Sequence, residues 1–203
     1  MKKGLVFVVS GPSGSGKGTI VDVLRHMAPN IGVAVSATTR APRPGEAEGV
    51  NYYYKTREEF EALLAAGEIL EHTEYSGNLY GTLKSEAEKV IGEGRDLILE
   101  IEVDGGAQVK KLLGDDCVLV MLLAPDAEEQ ERRLRNRGTE QEETIQKRLQ
   151  KARSEIAVAG DYEYLVLNET GKQEECAENL LAILKAAHNV YPRMRHITDH
   201  YFD

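Results

Sequence analysis

Leu5-Val6-Phe7-Val8-Val9-Ser10-Gly11-Pro12-Ser13-Gly14-Ser15-Gly16-Lys17-Gly18-Thr19 is the stretch on which the fold turns. A short apolar run passes directly into a glycine-rich loop that ends on a lysine, and a helical pattern follows over 17–27. Glycines permit backbone conformations that turn several N–H groups into one concavity. The helix adds the positive end of its dipole, and Lys17 adds a full charge. Strand, loop, lysine and helix in this order form a phosphate-binding P-loop suited to a nucleoside triphosphate, with Gly11 to Thr19 as its contact residues. A hydrolase nucleophile elbow at Ser13 is excluded, because the second glycine of G-x-S-x-G falls on Ser15.

The usual P-loop places Ser or Thr directly after the lysine, where the hydroxyl holds magnesium. Here Gly18 stands there and the hydroxyl comes one residue later, at Thr19. In this respect the loop resembles that of small phosphotransferases such as adenylate kinases, which also carry Gly-Lys-Gly-Thr.

Beyond the loop, strand and helix patterns alternate. Leu97-Ile98-Leu99, Val118 to Leu123 and Leu165-Val166-Leu167 are continuous apolar runs, as expected of strands buried on both faces. Helical patterns lie near 104–113, 126–137, 141–159 and 173–189. The expected fold class is α/β: a parallel core sheet flanked by helices. At 203 residues the chain suits one domain. Its expected core is 1–35, 91–125 and 161–190, with a mixed α/β insertion over 36–90 and a helical lid over 126–160. Capping boxes at Thr56-Arg57-Glu58-Glu59 and Thr139-Glu140-Gln141-Glu142 predict a helix start in each insertion.

A formal net charge of −9 argues against non-specific nucleic-acid binding, so anion sites must be local. No apolar stretch has membrane-spanning length, and no secretion signal precedes the first strand. A cytoplasmic location is the resulting expectation. The two cysteines, Cys117 and Cys176, then read as small core residues and not as a disulfide.

The first insertion opens with Ser36-Ala37-Thr38-Thr39-Arg40-Ala41-Pro42-Arg43-Pro44-Gly45-Glu46. Arg40 and Arg43 flank a proline in a stiffened loop, and arginine's planar fork suits phosphate or carboxylate. A P-loop enzyme needs such a second anion site for its acceptor. Leu97-Ile98-Leu99-Glu100-Ile101-Glu102 ends in alternating carboxylates, which an extended chain places on one face. An acidic residue at a strand end beside a P-loop commonly reaches magnesium through water. Arg133 and Arg137 are four residues apart and share a helix face, with Arg148 on the next helix.

With Asn51-Tyr52-Tyr53-Tyr54 and Glu71-His72-Thr73-Glu74-Tyr75-Ser76-Gly77-Asn78-Leu79-Tyr80-Gly81-Thr82 added, the chain strongly resembles the guanylate kinases over about residues 4–190. That family carries the Ser-x-Thr-Thr-Arg-x-Pro-Arg-x-Gly-Glu loop and a glutamate shortly before Ser-Gly-Asn-x-Tyr-Gly-Ser/Thr. The resemblance implies phosphoryl transfer from ATP to GMP with Mg²⁺. It implies that Arg40, Arg43, Tyr52 and Tyr80 hold the GMP phosphate, with Glu46 fixing the arginines. Ser36, Glu71 and Thr82 would meet the guanine. Glu100 would serve the GMP pocket and Glu102 the magnesium shell, although the family usually has Asp at both places. Lys17, Arg133, Arg137 and Arg148 would stabilise the moving phosphoryl group, and Asn168 would lie near the adenine.

The expected role of Glu71 is also sound chemistry. Guanine presents two adjacent donors, N1–H and its exocyclic amine, to an acceptor-only carboxylate, whereas adenine presents an acceptor at N1. Another acceptor on the same fold, a non-catalytic module or a GTPase switch fits less well. Glu71 with Ser36 favours guanine, the loop lysine and lid arginines are kept, and no guanine-reading loop of a GTPase is evident.

Overall fold

The computed structural model describes residues 4–75, 77–136 and 142–202. In chain order the elements are β1 (Val6–Ser10), α1 (Lys17–Met27), β2 (Gly32–Val33), β3 (Ser36–Thr38), β4 (Tyr53–Tyr54), α2 (Arg57–Ala65), β5 (Ile69–Tyr75), β6 (Asn78–Leu83), α3 (Lys84–Gly92), β7 (Leu97–Glu100), α4 (Val103–Leu113), β8 (Cys117–Leu123), α5 (Ala127–Asn136), α6 (Glu142–Ala157), β9 (Tyr164–Leu167), α7 (Gln173–Ala187) and α8 (Tyr191–Asp199).

Five strands form a parallel sheet in the order β2-β7-β1-β8-β9. β1 lies at its centre, with Val8 in register with Leu99 on one side and Leu119 on the other. Its side chains alternate between two cores, as the period of a strand requires. Phe7 and Val9 pack with Leu24 of α1 and Leu180 of α7, while Val6 and Val8 pack with Val90 of α3 and Val109 of α4. The P-loop thus leaves the carboxyl end of the most deeply buried strand, where open α/β sheets bind ligands.

One expectation is corrected. Leu165-Val166-Leu167 is not buried on both faces: β9 is an edge strand, and Leu165 and Leu167 are exposed while only Val166 is covered. Across the sheet, the Asp96 carboxylate accepts from the Leu5 amide at 2.9 Å and contacts His188 Nε2 at 2.9 Å, tying the start of β1 to the end of α7.

A second sheet has the order β4-β3-β6-β5. Its small core gathers Ala37, Phe60, Ile69 and Leu79. Phe60 is fully buried, and truncating such a phenylalanine to alanine costs about 3–5 kcal/mol. The capping box at the start of α2 forms as read: the Thr56 hydroxyl accepts from the Glu59 amide, and the Glu59 carboxylate accepts from the Thr56 amide. Gln108 of α4 joins the two sheets. Its side-chain amide donates to the His72 carbonyl at 2.8 Å and accepts from the His72 N–H at 3.2 Å, as a neighbouring strand would. That pairing fixes β5, and with it Glu71, against the core.

Both cysteines are buried and unbridged, and burial pushes the thiols up to about 12 for Cys117 and about 11 for Cys176. Among the described residues no helix is long and apolar enough to cross a membrane.

Candidate active site

The P-loop takes its shape from outside contacts. Gly16, the N-cap of α1, has φ 90°, and a Cβ there would lie 2.4 Å from Asn168 Nδ2. A Cβ at Gly11 would lie 2.1 Å from the Leu122 carbonyl oxygen. The loop's carbonyls are held from behind: Ser13 O accepts from Gln130 Nε2 at 2.9 Å, and Ser15 O accepts from Asn168 Nδ2 at 2.8 Å and Arg133 Nη1 at 3.2 Å. The amides of Lys17, Gly18 and Thr19 head α1, where a helix has no partner of its own to offer. Lys17 curls back so that its ammonium donates to the Gly11 carbonyl at 2.5 Å.

In front of the loop lies a cavity of about 410 Å³. Besides the loop, it is lined by Glu100, Glu102, Tyr75, Arg148, Lys151 and Glu155. Arg148 Nη1 donates to Ser13 Oγ at 3.0 Å, which brings α6 onto the loop. A second cavity of about 320 Å³ adjoins the first and shares Lys17, Tyr75, Glu100 and Glu102 with it. Its other walls include Ser36, Tyr52, Glu71, Thr73 and Tyr80.

Glu71 and Thr82 pair across β5 and β6, and Ser36 pairs with Thr82 across β3 and β6, so register alone collects the three. Thr82 Oγ1 donates to Glu71 Oε1 at 2.7 Å. Glu71 is 3% exposed, and burial raises its pKa against the opposing bond from Thr82. Its other oxygen packs against the first turn of α4, where a Cβ at Gly105 would stand 2.3 Å from Oε2. Gly105 therefore makes room for this carboxylate.

Behind Tyr52 and Tyr80, and not itself lining the second cavity, Arg40 makes a forked bond to Glu46 at 2.9 and 3.0 Å. Glu46 also accepts from the Arg43 N–H at 2.7 Å and from the Tyr54 hydroxyl at 2.9 Å. These bonds, Arg40's first, hold the Glu46 carboxyl down at about 2 and raise the Arg40 guanidinium above its ordinary value. Arg40 lies 5.5 Å from the Tyr52 ring centroid, and Tyr52 meets Tyr80 edge to face at 5.9 Å. Arg43 joins this cluster through its backbone N–H, with its side chain exposed.

Glu100 ends β7, and Glu102, in extended conformation, is the N-cap of α4. Both line both cavities. Although the Glu100 side chain opens to the cavity, the surrounding protein pushes its carboxyl up, with Lys17 opposing. Lys151 reaches Glu102 at 3.7 Å and Glu155 at 3.4 Å. Burial first, and then Glu102, pushes the Glu155 carboxyl up to about 7. The described residues contain no group of three or more metal-type ligands. Glu100, Glu102 and Thr19 line the first cavity together and offer only oxygen ligands, and Mg²⁺ needs little more from a protein when phosphates and water complete its shell.

Arg133 does not line the first cavity. Its guanidinium donates to Ser15 O, Asn168 O at 2.8 Å and Thr170 Oγ1 at 3.2 Å, and pairs with Glu129 at 2.7 Å. Asn168 is 3% exposed and faces the P-loop backbone. Arg137 lies outside the described residues, as do Thr139, Glu140 and Gln141 of the second capping box. Sequence reasoning missed Gly105, Gln108, Tyr54, Tyr75, Lys151 and Glu155. Only the glycine pair Gly105-Gly106 inside a helical pattern carried a signal, since glycine weakens a helix unless something packs close.

Comparison with known proteins converges on one family. A sequence model described as guanylate kinase matches residues 3–187. The guanylate kinase of Lactococcus lactis subsp. lactis is 44% identical over 202 residues, covering 98% of this chain and 97% of that protein. The one from Synechococcus sp. is 44% identical over 182 residues, 90% of this chain and 82% of that protein. The crystal structure of guanylate kinase from Anaplasma phagocytophilum superposes with a TM-score of 0.78 at 32% identity, over 99% of this chain and 96% of that one.

Proposed function

Since the chain belongs to the guanylate kinase family, it transfers the terminal phosphoryl group of ATP to GMP, giving ADP and GDP, and we propose that its two cavities divide the substrates between them. ATP occupies the P-loop cavity, its phosphates on the loop amides and Lys17. GMP occupies the second, its phosphate toward Arg40, Arg43, Tyr52 and Tyr80 and its base toward Ser36, Glu71 and Thr82.

The observation that carries this division is the Thr82–Glu71 bond. It occupies one side of Glu71 Oε1 and orients a buried carboxylate at the wall of the second cavity. A buried carboxylate that has shed water gains most from a ligand offering two adjacent donors, and guanine is such a base.

A GMP phosphate oxygen attacks the γ-phosphorus as the bond to the β–γ bridging oxygen breaks, and that oxygen leaves with ADP. Such a transfer needs alignment and cancellation of charge more than covalent help. Lys17 lines both cavities and so stands where attacking and leaving oxygens meet. Arg148 adds charge from α6, and Arg137 is a further cation for the transferring group. Arg133 acts through the loop it braces, and Asn168 holds the same loop carbonyl. Glu102, Glu100 and Thr19 are the residues that would hold Mg²⁺, which screens the phosphate charge when bound. Residues 36–90 and 126–160 close on the core as units when both substrates bind. The reaction places the protein among soluble nucleotide substrates in the cytoplasm, with neither nucleic acid nor membrane as partner.

A coupled assay of ADP release across a panel of nucleoside monophosphates tests the reading. GMP should be turned over far faster than AMP, CMP or UMP. Equal turnover of AMP and GMP would overturn the guanine assignment.

A further inference from the structure

Tyr75 is the aromatic residue on which the two cavities meet, since it lines both. It sits on β5 with Glu71 and Thr73, and alternation places the three side chains on one strand face along the second cavity. From the other side α6 brings two cations to the same ring. The Arg148 guanidinium lies 5.7 Å and the Lys151 ammonium 5.3 Å from its centroid. Arg148 also reaches Ser13 of the P-loop, and Lys151 reaches Glu102 and Glu155.

Arg148 and Lys151 are three residues apart on one helix face, so their like charges repel. An aromatic ring offers a negative face to both and lowers that repulsion without supplying a charge that would compete for phosphate. It also keeps the cations on the border between the two cavities.

Building on the proposed division of substrates, we infer that Tyr75 is a positioning residue: its ring seats Arg148 and Lys151 at the border between the two cavities. The rigid β5 strand then links base recognition at Glu71 to charge placement at the transfer point, and the ring face, not the hydroxyl, is the working part.

The test compares Tyr75→Leu, Tyr75→Phe and Tyr75→Trp in the full chain, with steady-state kinetics for GMP and ATP and a melting curve for each. Tyr75→Leu should lower kcat by about tenfold while leaving both KM values within about twofold, because misplaced cations cost the transition state more than the ground state. Tyr75→Phe and Tyr75→Trp keep the ring face and should stay within about twofold of the parent. The chain has no tryptophan, so Tyr75→Trp also gives a single reporter whose emission should shift when ATP recruits the two cations. A Leu variant with parental kcat, or a Phe variant as slow as Leu, would overturn the assignment. Should Tyr75→Leu not fold, an ATP-insensitive emission from Tyr75→Trp would overturn it equally. If the parent itself ignores GMP, the division of substrates fails first, a result distinguishable from any variant effect.

Discussion

The Thr82 hydroxyl donates to Glu71 across 2.7 Å between two strands whose register sets the two residues directly opposite each other. Both side chains are nearly without solvent contact. A carboxylate held there is costly to the ligand-free protein and useful only to a partner that satisfies it, so Glu71 ties selectivity to instability.

Replacing the carboxylate by an amide should therefore cost selectivity. Glu71→Gln puts an NH₂ group where guanine also has donors. The ratio of kcat/KM for GMP to that for AMP should fall by at least about 10², since sites built on buried hydrogen bonds discriminate by 10⁴ or more. Steady-state assays with both acceptors measure it.

The same substitution should stabilise the empty protein. Burial raises the Glu71 pKa in the folded chain. Such a group favours the folded state below its unfolded pKa, and that contribution is lost as pH rises through the folded value. At neutral pH the parent therefore carries a penalty that glutamine lacks. Glu71→Gln should melt about 2–4 °C higher at pH 7.5, which corresponds to roughly 1 kcal/mol in a chain of this size. The gap should close as the pH is lowered toward 4, as calorimetry across that range would show.

Glu46 gives the opposite pH signature. Its carboxyl is held down at about 2 by Arg40, by the Arg43 amide and by Tyr54. A depressed carboxyl supports the fold above its unfolded pKa and stops doing so as pH falls through the folded value, so the Arg40 fork should persist through pH 5. Glu46→Gln should raise KM for GMP about tenfold and leave kcat nearly unchanged, because it loosens ground-state phosphate binding. The KM of the parent should show no inflection from this group between pH 5 and 8.

Lys17 lies over the loop it follows and touches no core cluster. Lys17→Ala should lower kcat by roughly 10²–10³, the range for removing one preorganised electrostatic contact. Its melting temperature should stay within about 2 °C of the parent. Single-turnover transfer from ATP and a thermal scan check both halves.

Much of this was legible in the chain, for identifiable reasons. A P-loop is local, so Gly11 to Thr19 announce both the strand before and the helix after. The parallel core followed from continuous apolar runs, which only buried strands need. Leu165 and Leu167 misled because an edge strand can carry the same letters, and strand order is not written locally. The grouping of Ser36, Glu71 and Thr82 came from resemblance; its physical cause is register across β3, β6 and β5, which no single segment encodes. Tyr75, Lys151 and Gln108 were invisible because each acts across elements far apart in the chain. Arg40 is paired with Glu46, Arg133 with Glu129 and Arg135 with Glu131, so much of the charge of the arginine-rich segments is cancelled within each segment.

Two departures from the common pattern, glycine after the P-loop lysine and glutamate at the end of β7, face each other in space. A Cβ at Gly18 would lie 3.5 Å from Glu100 Oε1 and 3.6 Å from Oε2. A methyl fits there at ordinary contact, and any atom added beyond it shares its space with the carboxylate. An aspartate, one methylene shorter, would withdraw from that space. The two positions are therefore coupled in space: Gly18→Ser should be tolerated better together with Glu100→Asp than alone.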